Sequence, residues 1–168
     1  MAANSYVDVV AGTATFKTAI TTSAGAGDAA KIPALDGAGR LDASFMPVGM
    51  GADTQVVTTS EALSAGNWVN VYNNAAAFAV RKADATTPGK EANGFVLAAF
   101  GSAASATVYF EGTNTAVTGQ TAGKVYLSTT AGAGTATSPT TVGQVSQLIG
   151  WATSATTVNF NSGPAYSL

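Results

Sequence analysis

Residues 67–72, Asn67-Trp68-Val69-Asn70-Val71-Tyr72, carry the alternation that decides the fold class. Successive side chains of an extended strand point to opposite faces. Val69 and Val71 therefore share one face, and Trp68 and Tyr72 lie on the other. We expect a strand here whose valine face is buried.

Short runs of Val, Thr and aromatic residues recur along the chain from Gln55 onward, separated by Gly, Pro and Asn. This pattern is typical of an all-β sandwich or barrel, and no stretch shows a sustained helical period. Further strands are predicted at residues 77–82, 94–100, 106–111, 124–128, 144–151 and 156–160. The sequence therefore predicts an all-β fold, a small β-barrel or β-tulip-like domain of about seven strands joined mostly by hairpins.

The first 50 residues differ in composition from residues 51–168. They contain one clear strand, residues 6–10, without an evident partner nearby, and then residues 21–30, which have too few bulky side chains to build a core. Farther along, Asp42 is placed to cap one short helical turn that Pro47 would end. We predict an extended N-terminal arm and linker over residues 1–50, followed by a β-domain over residues 51–168.

Charge and composition narrow the function classes. The chain has no histidine, no cysteine and a net charge of −2, so it has no disulfides or thiolate metal sites, and no basic stripe that would bind nucleic acid or an anionic membrane. Its apolar runs are too short to span a bilayer. Between Glu111 and Leu168 the only charged residue is Lys124. We expect this charge-poor region to pack against other protein.

Three aspartates in the first 50 residues are the best metal-ligand candidates by type, since hard cations take several oxygen ligands. They are Asp28, Asp36 and Asp42. Their spacing fits no compact calcium loop, and turn and cap roles account for Asp36 and Asp42. We predict no metal and no cofactor.

A glycoside hydrolase is the enzymatic alternative, because that reaction needs two carboxyl groups flanking the scissile bond. Asp84, Glu91 and Glu111 could supply such a pair. Any chain with nine acidic residues offers similar pairs, so the signal is not distinctive. We predict that the protein is not an enzyme.

Aromatic residues in the predicted strands could stack on a sugar, but aromatics also dominate cores and subunit interfaces. The residues in question are Trp68, Tyr72, Tyr109, Phe110, Tyr126, Trp151 and Phe160. We favour packing over sugar binding. The predicted contacts between subunits are Tyr126, Leu148, Trp151 and Phe160.

Residues 31–47, K-I-P-A-L-D-G-A-G-R-L-D-A-S-F-M-P, resemble a linker of the form K-I-x-x-L-D-x-x-G-[KR]-L-D-x-S-x-[ML]-P found in structural proteins of tailed bacteriophages. Residues 83–100 and 106–112 resemble a small β-barrel module that such phages place on heads and tail appendages. The resemblance implies a head decoration, or cement, protein, a homotrimer at threefold positions of the shell that clamps major capsid subunits. It would be made in the bacterial cytoplasm and lie on the outer capsid surface of the virion.

On this reading the arm, more than the barrel, holds the capsid. Strand addition suits the role because main-chain hydrogen bonds give affinity without charged side chains. The predicted capsid contacts are Tyr6, Val7, Val9, Val10, Ile32, Leu35, Leu41, Phe45 and Met46. The alternative is a tail-tip or fibre-associated protein that binds a host receptor, which would be present in only a few copies per particle.

Overall fold

The computed structural model describes residues 4–46 and 52–168, which belong to two compact units, Met1–Gly51 and Ala52–Leu168. Both units consist of β-strands, with two short 3₁₀ helices in the first. Five strands of the second unit close into a barrel. The predicted all-β, barrel-containing fold is confirmed.

The N-terminal unit begins with a β-hairpin. Strand β1 (Ser5–Val10) pairs with β2 (Thr13–Thr18) along its whole length. The turn places Ala11 and Gly12 at positive φ, which suits the twist of a two-residue hairpin. The expectation that residues 6–10 lack a neighbouring partner is therefore wrong. The second strand, T-A-T-F-K-T, was not predicted because it has only one large apolar side chain.

Hydrogen bonds organise the rest of this unit. A 3₁₀ helix spans Ala26–Asp28 and another spans Ala43–Phe45. Asp42 Oδ1 accepts from the Ser44 N–H at 2.9 Å, which confirms the predicted cap. Pro47, expected to end this turn, lies outside the described residues. No side chain within residues 4–46 is buried, so this part of the chain has no core of its own.

The second unit starts with the barrel, in which the strands neighbour one another in the order β3-β5-β4-β6-β7. The bounds are β3 Thr54–Thr59, β4 Trp68–Asn74, β5 Ala77–Lys82, β6 Gly94–Phe95 and β7 Ser105–Tyr109. β3 runs parallel to β5 and antiparallel to β7, and these two pairings close the barrel.

A six-stranded sheet follows, with the order β10-β9-β11-β12-β8 and β13 paired to β11. The bounds are β8 Gly112–Asn114, β9 Gly123–Leu127, β10 Gly134–Thr135, β11 Val145–Ser154, β12 Thr157–Phe160 and β13 Ala165–Ser167. Residues 52–168 thus form eleven strands, more than the seven or so predicted. Four of them, β6, β8, β10 and β13, have only two or three residues, which is too short to show an alternating pattern.

Two apolar clusters fill this unit, and β4 contributes to both. Val69 and Val80 lie in the barrel core. Trp68 packs with Phe95 and with residues of the second sheet. Val69 is 0% exposed and Val71 packs partly buried against the same cluster, so the valine face is buried as expected. Trp68 is also 0% exposed, so the opposite side of the strand is buried as well. The second sheet covers the side of the barrel from which Trp68 projects.

Candidate interaction surfaces

One face of the N-terminal hairpin is apolar and exposed. The register pairs Val7 with Phe16 and Val9 with Ala14, so these four side chains share a face, here called the Phe16 face. Val7, Val9 and Phe16 are 54%, 63% and 70% exposed. Three large apolar side chains on one side of a short hairpin form an exposed apolar patch. Burying this patch against another surface is energetically favourable.

The opposite face of the hairpin is mixed and carries charged, hydroxyl and apolar side chains. Asp8 and Lys17 form an ion pair there, and the hydrogen bond and charge of Asp8 raise the pKa of Lys17. Tyr6 and Val10 share this face, since they alternate with Val7 and Val9. The hairpin therefore divides the predicted capsid contacts, and only Val7 and Val9 lie on the apolar side.

Phe16 belongs to the apolar face but was missed from the sequence. It lies in β2, a strand that the composition did not predict. Its position opposite Val7 could have been found by testing a two-residue turn at Ala11-Gly12, because Gly at such a turn is a hairpin signal.

The predicted contacts in the linker are mostly exposed. Ile32, Leu35, Leu41 and Met46 are between 41% and 58% exposed, and Phe45 is partly buried. The segment is held next to the end of the hairpin, because the Ile20 N–H donates to the Ile32 C=O at 3.0 Å and the Ala34 N–H donates to the Ile20 C=O at 2.8 Å.

The three aspartates considered as metal ligands each accept hydrogen bonds from residues nearby in the sequence. Asp28 binds the Lys31 ammonium and the Ala24 N–H, and these hydrogen bonds lower its pKa. Asp36 Oδ1 accepts from the backbone of Ala38 and Arg40 within the turn. Hydrogen bonds from Ser44 lower the pKa of Asp42. Within residues 4–46 and 52–168, no group of three acidic residues could hold a metal ion.

The carboxylates considered for glycoside hydrolysis are also engaged locally or exposed. Asp84 accepts from the Thr86 hydroxyl and from Lys90 Nζ. Glu91 accepts from the Gly89 N–H, and Glu111 is exposed. Hydrogen bonds from Thr86 and Lys90 hold Asp84 in its loop, which suits a structural role better than proton transfer.

Three of the four predicted subunit contacts share the outer face of the second sheet. Leu148 pairs with Tyr126, and Trp151 pairs with Lys124 across β9 and β11. Trp151 is 41% exposed, and Tyr126 and Leu148 are partly buried. This is a surface of large side chains with one charge.

Phe160, the fourth predicted subunit contact, lies in the chain's own core. It is 8% exposed, and its ring centroid is 5.4 Å from that of Trp68 and 5.8 Å from that of Phe95. Little of its surface is available to a second subunit. The short strand β12 carries alternating buried residues, and its inward side takes Phe160.

The aromatic residues considered for sugar binding do not all lie on one surface. Trp68, Tyr109 and Phe160 pack in the cluster around Phe95. Tyr72 instead lies under the Arg81 guanidinium, whose carbon is 4.1 Å from the ring centroid. In these positions the rings serve packing and a cation–π contact more than a continuous sugar-binding face.

No family model, curated protein or solved structure matches this chain. Within the described residues, no helix is long and apolar enough to cross a membrane. The functional interpretation therefore depends on the surfaces described above.

Proposed function

We propose that this chain is a structural protein of a tailed-bacteriophage virion, a head decoration or cement protein that binds the major capsid protein through its N-terminal unit. One observation carries the proposal. No side chain in residues 4–46 is buried, yet the Phe16 face presents three large apolar side chains. Such a unit gains most of its packing from another protein surface.

The energetic gain is appreciable. Fully burying one Val or Phe side chain contributes about 1.5 to 3 kcal/mol. Covering Val7, Val9 and Phe16 would therefore favour attachment by several kcal/mol, before the cost of association. An apolar contact also suits a chain whose net charge is only −2, because it needs no charged partner.

The second unit supplies the contacts between copies in this proposal. One face of the second sheet carries Tyr126, Leu148 and Trp151. Lys124, which lies opposite Trp151 in the strand register, adds a charge to this face. Packing three copies about a threefold axis would cover this face. The resulting homotrimer lies on the outer surface of the capsid and performs no catalysis.

Counting copies per particle tests the assignment against the tail alternative. Quantitative electrophoresis of purified virions, combined with electron microscopy of the same particles, gives both number and place. The proposal expects hundreds of copies at threefold positions of the head. A few copies at the tail tip would instead support a receptor-binding protein and overturn the proposal.

A further inference from the structure

A ring of three copies needs two different contact surfaces on each copy. Every interface of such a ring is head-to-tail, so a patch of one copy meets a different patch of the next, whereas a patch that meets itself closes a twofold dimer. The outer face of the second sheet, with Tyr126, Leu148 and Trp151, supplies one surface and is here called the Trp151 face. A threefold assembly requires a second surface elsewhere on the chain.

The second unit has an exposed apolar patch apart from the Trp151 face. The exposed side chains of Val142, Tyr166 and Leu168 lie beside the start of β11, next to the Trp151 face. The other large apolar side chains exposed in residues 52–168 are Val56 and Phe78, at 63% and 80%. Both lie within the first three residues of their strands, β3 and β5. Because these strands are parallel, Val56 and Phe78 lie towards the same end of the barrel.

A second phenylalanine lies at this end of the barrel, here called the Phe78 end. β7 runs antiparallel to β3 and therefore finishes there, and Phe110 directly follows it. Phe110 packs partly buried against the barrel core. Phe78 shares a face of β5 with Val80, which lies within that core, but Phe78 itself extends past the covered part of the barrel. The Phe78 end therefore presents an aromatic side chain that the barrel does not bury.

Most charged side chains of residues 52–168 lie in or beside the connection between β5 and β6, away from both surfaces. These are Glu61, Arg81, Lys82, Asp84, Lys90 and Glu91. The remaining charges are Asp53, Glu111 and Lys124. All three are exposed, and none of them forms a salt bridge among the described residues.

These three charges divide between the two surfaces by sign. The Phe110 N–H donates to the Asp53 C=O at 2.8 Å, and Glu111 follows Phe110 in the chain. Both acids therefore flank the Phe78 end. Lys124 lies on the Trp151 face, opposite Trp151 in the strand register. One apolar surface is thus acidic at its edge, and the other carries a single positive charge.

Given the proposed homotrimer, we propose that the Phe78 end of each copy packs against the Trp151 face of the next copy. Aromatic side chains are enriched in the cores of such interfaces, and Asp53 and Glu111 approach Lys124 of the next copy. Opposite charges favour this contact. Two Trp151 faces would instead bring two lysines together, and two Phe78 ends would bring four acids together. Three head-to-tail contacts close a ring about a threefold axis.

The absence of cysteine allows this contact to be mapped by cross-linking the full-length protein. Ala77→Cys places a thiol next to Phe78, and Asn159→Cys places one opposite Trp151 in the strand register. Both positions are exposed. A short bifunctional maleimide should link a mixture of the two variants several times more than it links either variant alone. A chain with both substitutions should be linked up to a trimer and no further.

Two further variants control for accidental linking. Thr87→Cys places the thiol in the exposed part of the β5–β6 connection, and its mixture with Asn159→Cys should give little product. Adding Phe78→Asp to the Ala77→Cys chain should lower the yield about tenfold or more, because the contact would bury an unpaired charge. Phe78 is mostly exposed in the single copy, so thermal melting should show that this variant folds as the wild type does.

Exchanging charges tests the alignment of the two surfaces. Lys124→Glu in the Asn159→Cys chain should lower the yield about 2- to 5-fold, and Glu111→Lys in the Ala77→Cys chain should then restore it. The proposal is overturned if Asn159→Cys links mainly to itself, if the mixture links no better than the Thr87→Cys control, or if the exchange restores nothing. The number and place of copies on virions do not depend on which surfaces join them, so this proposal and the proposed function can fail separately.

Discussion

The side-chain amide of Gln147 bonds to both backbone polar groups of Ala92. Its Oε1 accepts from the Ala92 N–H at 2.8 Å, and its Nε2 donates to the Ala92 C=O at 3.0 Å. Gln147 lies on β11 and is 3% exposed, and Ala92 lies in the connection between β5 and β6. The pair therefore ties the second sheet to a loop of the barrel.

We expect Gln147→Leu to lower the free energy of unfolding by about 1 to 3 kcal/mol, because it leaves the buried Ala92 N–H without a partner and the Ala92 C=O with only the Ser162 hydroxyl at 3.4 Å. Denaturant unfolding of the full chain measures this loss. Gln144→Leu is the matched control, since no hydrogen bond of its side chain is found among the described residues, and it should change stability by less than about 0.5 kcal/mol. Equal losses of unfolding free energy in the two variants would show that the hydrogen bonds between Gln147 and Ala92 make no particular contribution to stability.

The turn between β4 and β5 carries backbone strain. Ala75 and Ala76 have φ of 49° and 71°, a conformation that costs a non-glycine residue roughly 1 kcal/mol or more. Ala76→Gly should raise the free energy of unfolding by about 1 kcal/mol. Ala77→Gly, one residue later in β5, should lower it by about 0.5 to 1 kcal/mol. Thermal melting of the two variants checks the opposite signs, and a common sign would contradict the turn geometry.

Asp84 makes stability depend on pH in the acid range. Burial opposes its ionisation, but hydrogen bonds from Thr86 and Lys90 and the charge of Lys90 outweigh burial and hold its pKa below the ordinary 3.8. A lowered folded pKa stabilises the protein above the unfolded value, and this stabilisation is lost as the pH falls through the folded pKa. Asp84→Asn should therefore be less stable than wild type at neutral pH, with a gap that narrows in acid.

Chemical unfolding at a series of acid pH values measures that gap. Thr86→Val keeps the carboxylate but removes a hydroxyl donor, so its gap to wild type should be smaller and should narrow in the same direction. A gap between wild type and Asp84→Asn that is constant with pH would show that ionisation of Asp84 does not contribute.

Alternation predicted the long strands well, because β4, β5 and β11 contain enough residues to display a period of two. It could not predict the environment of Trp68. A strand alternates between an inside and an outside in the same way whether or not a second sheet covers the outside. Only the packing of Phe95 and Phe160 against Trp68 makes that side a core.

Strand pairing was the second feature that the sequence could not predict. Val9 and Val10 are the same residue type, so composition does not distinguish them, and both were predicted to contact the capsid. The register with β2 separates them, since Val9 pairs with Ala14 and Val10 with Thr13 on the opposite face. A cavity lined by residues 65–68, 116–120 and 132–134 likewise combines three separate segments of the chain, which no local pattern identifies.

Two adjacent valines, Val9 and Val10, test most directly the proposal that the Phe16 face binds the capsid. Val9 and Val10 are 63% and 58% exposed on opposite faces of the hairpin. Full-length Val9→Asp and Val10→Asp proteins would be titrated onto undecorated heads of the phage proposed to encode the chain, and bound copies counted. We expect Val9→Asp to weaken binding about tenfold or more, because it buries an unpaired charge, and Val10→Asp to bind nearly as the wild type does. Equal binding by both variants would contradict the account.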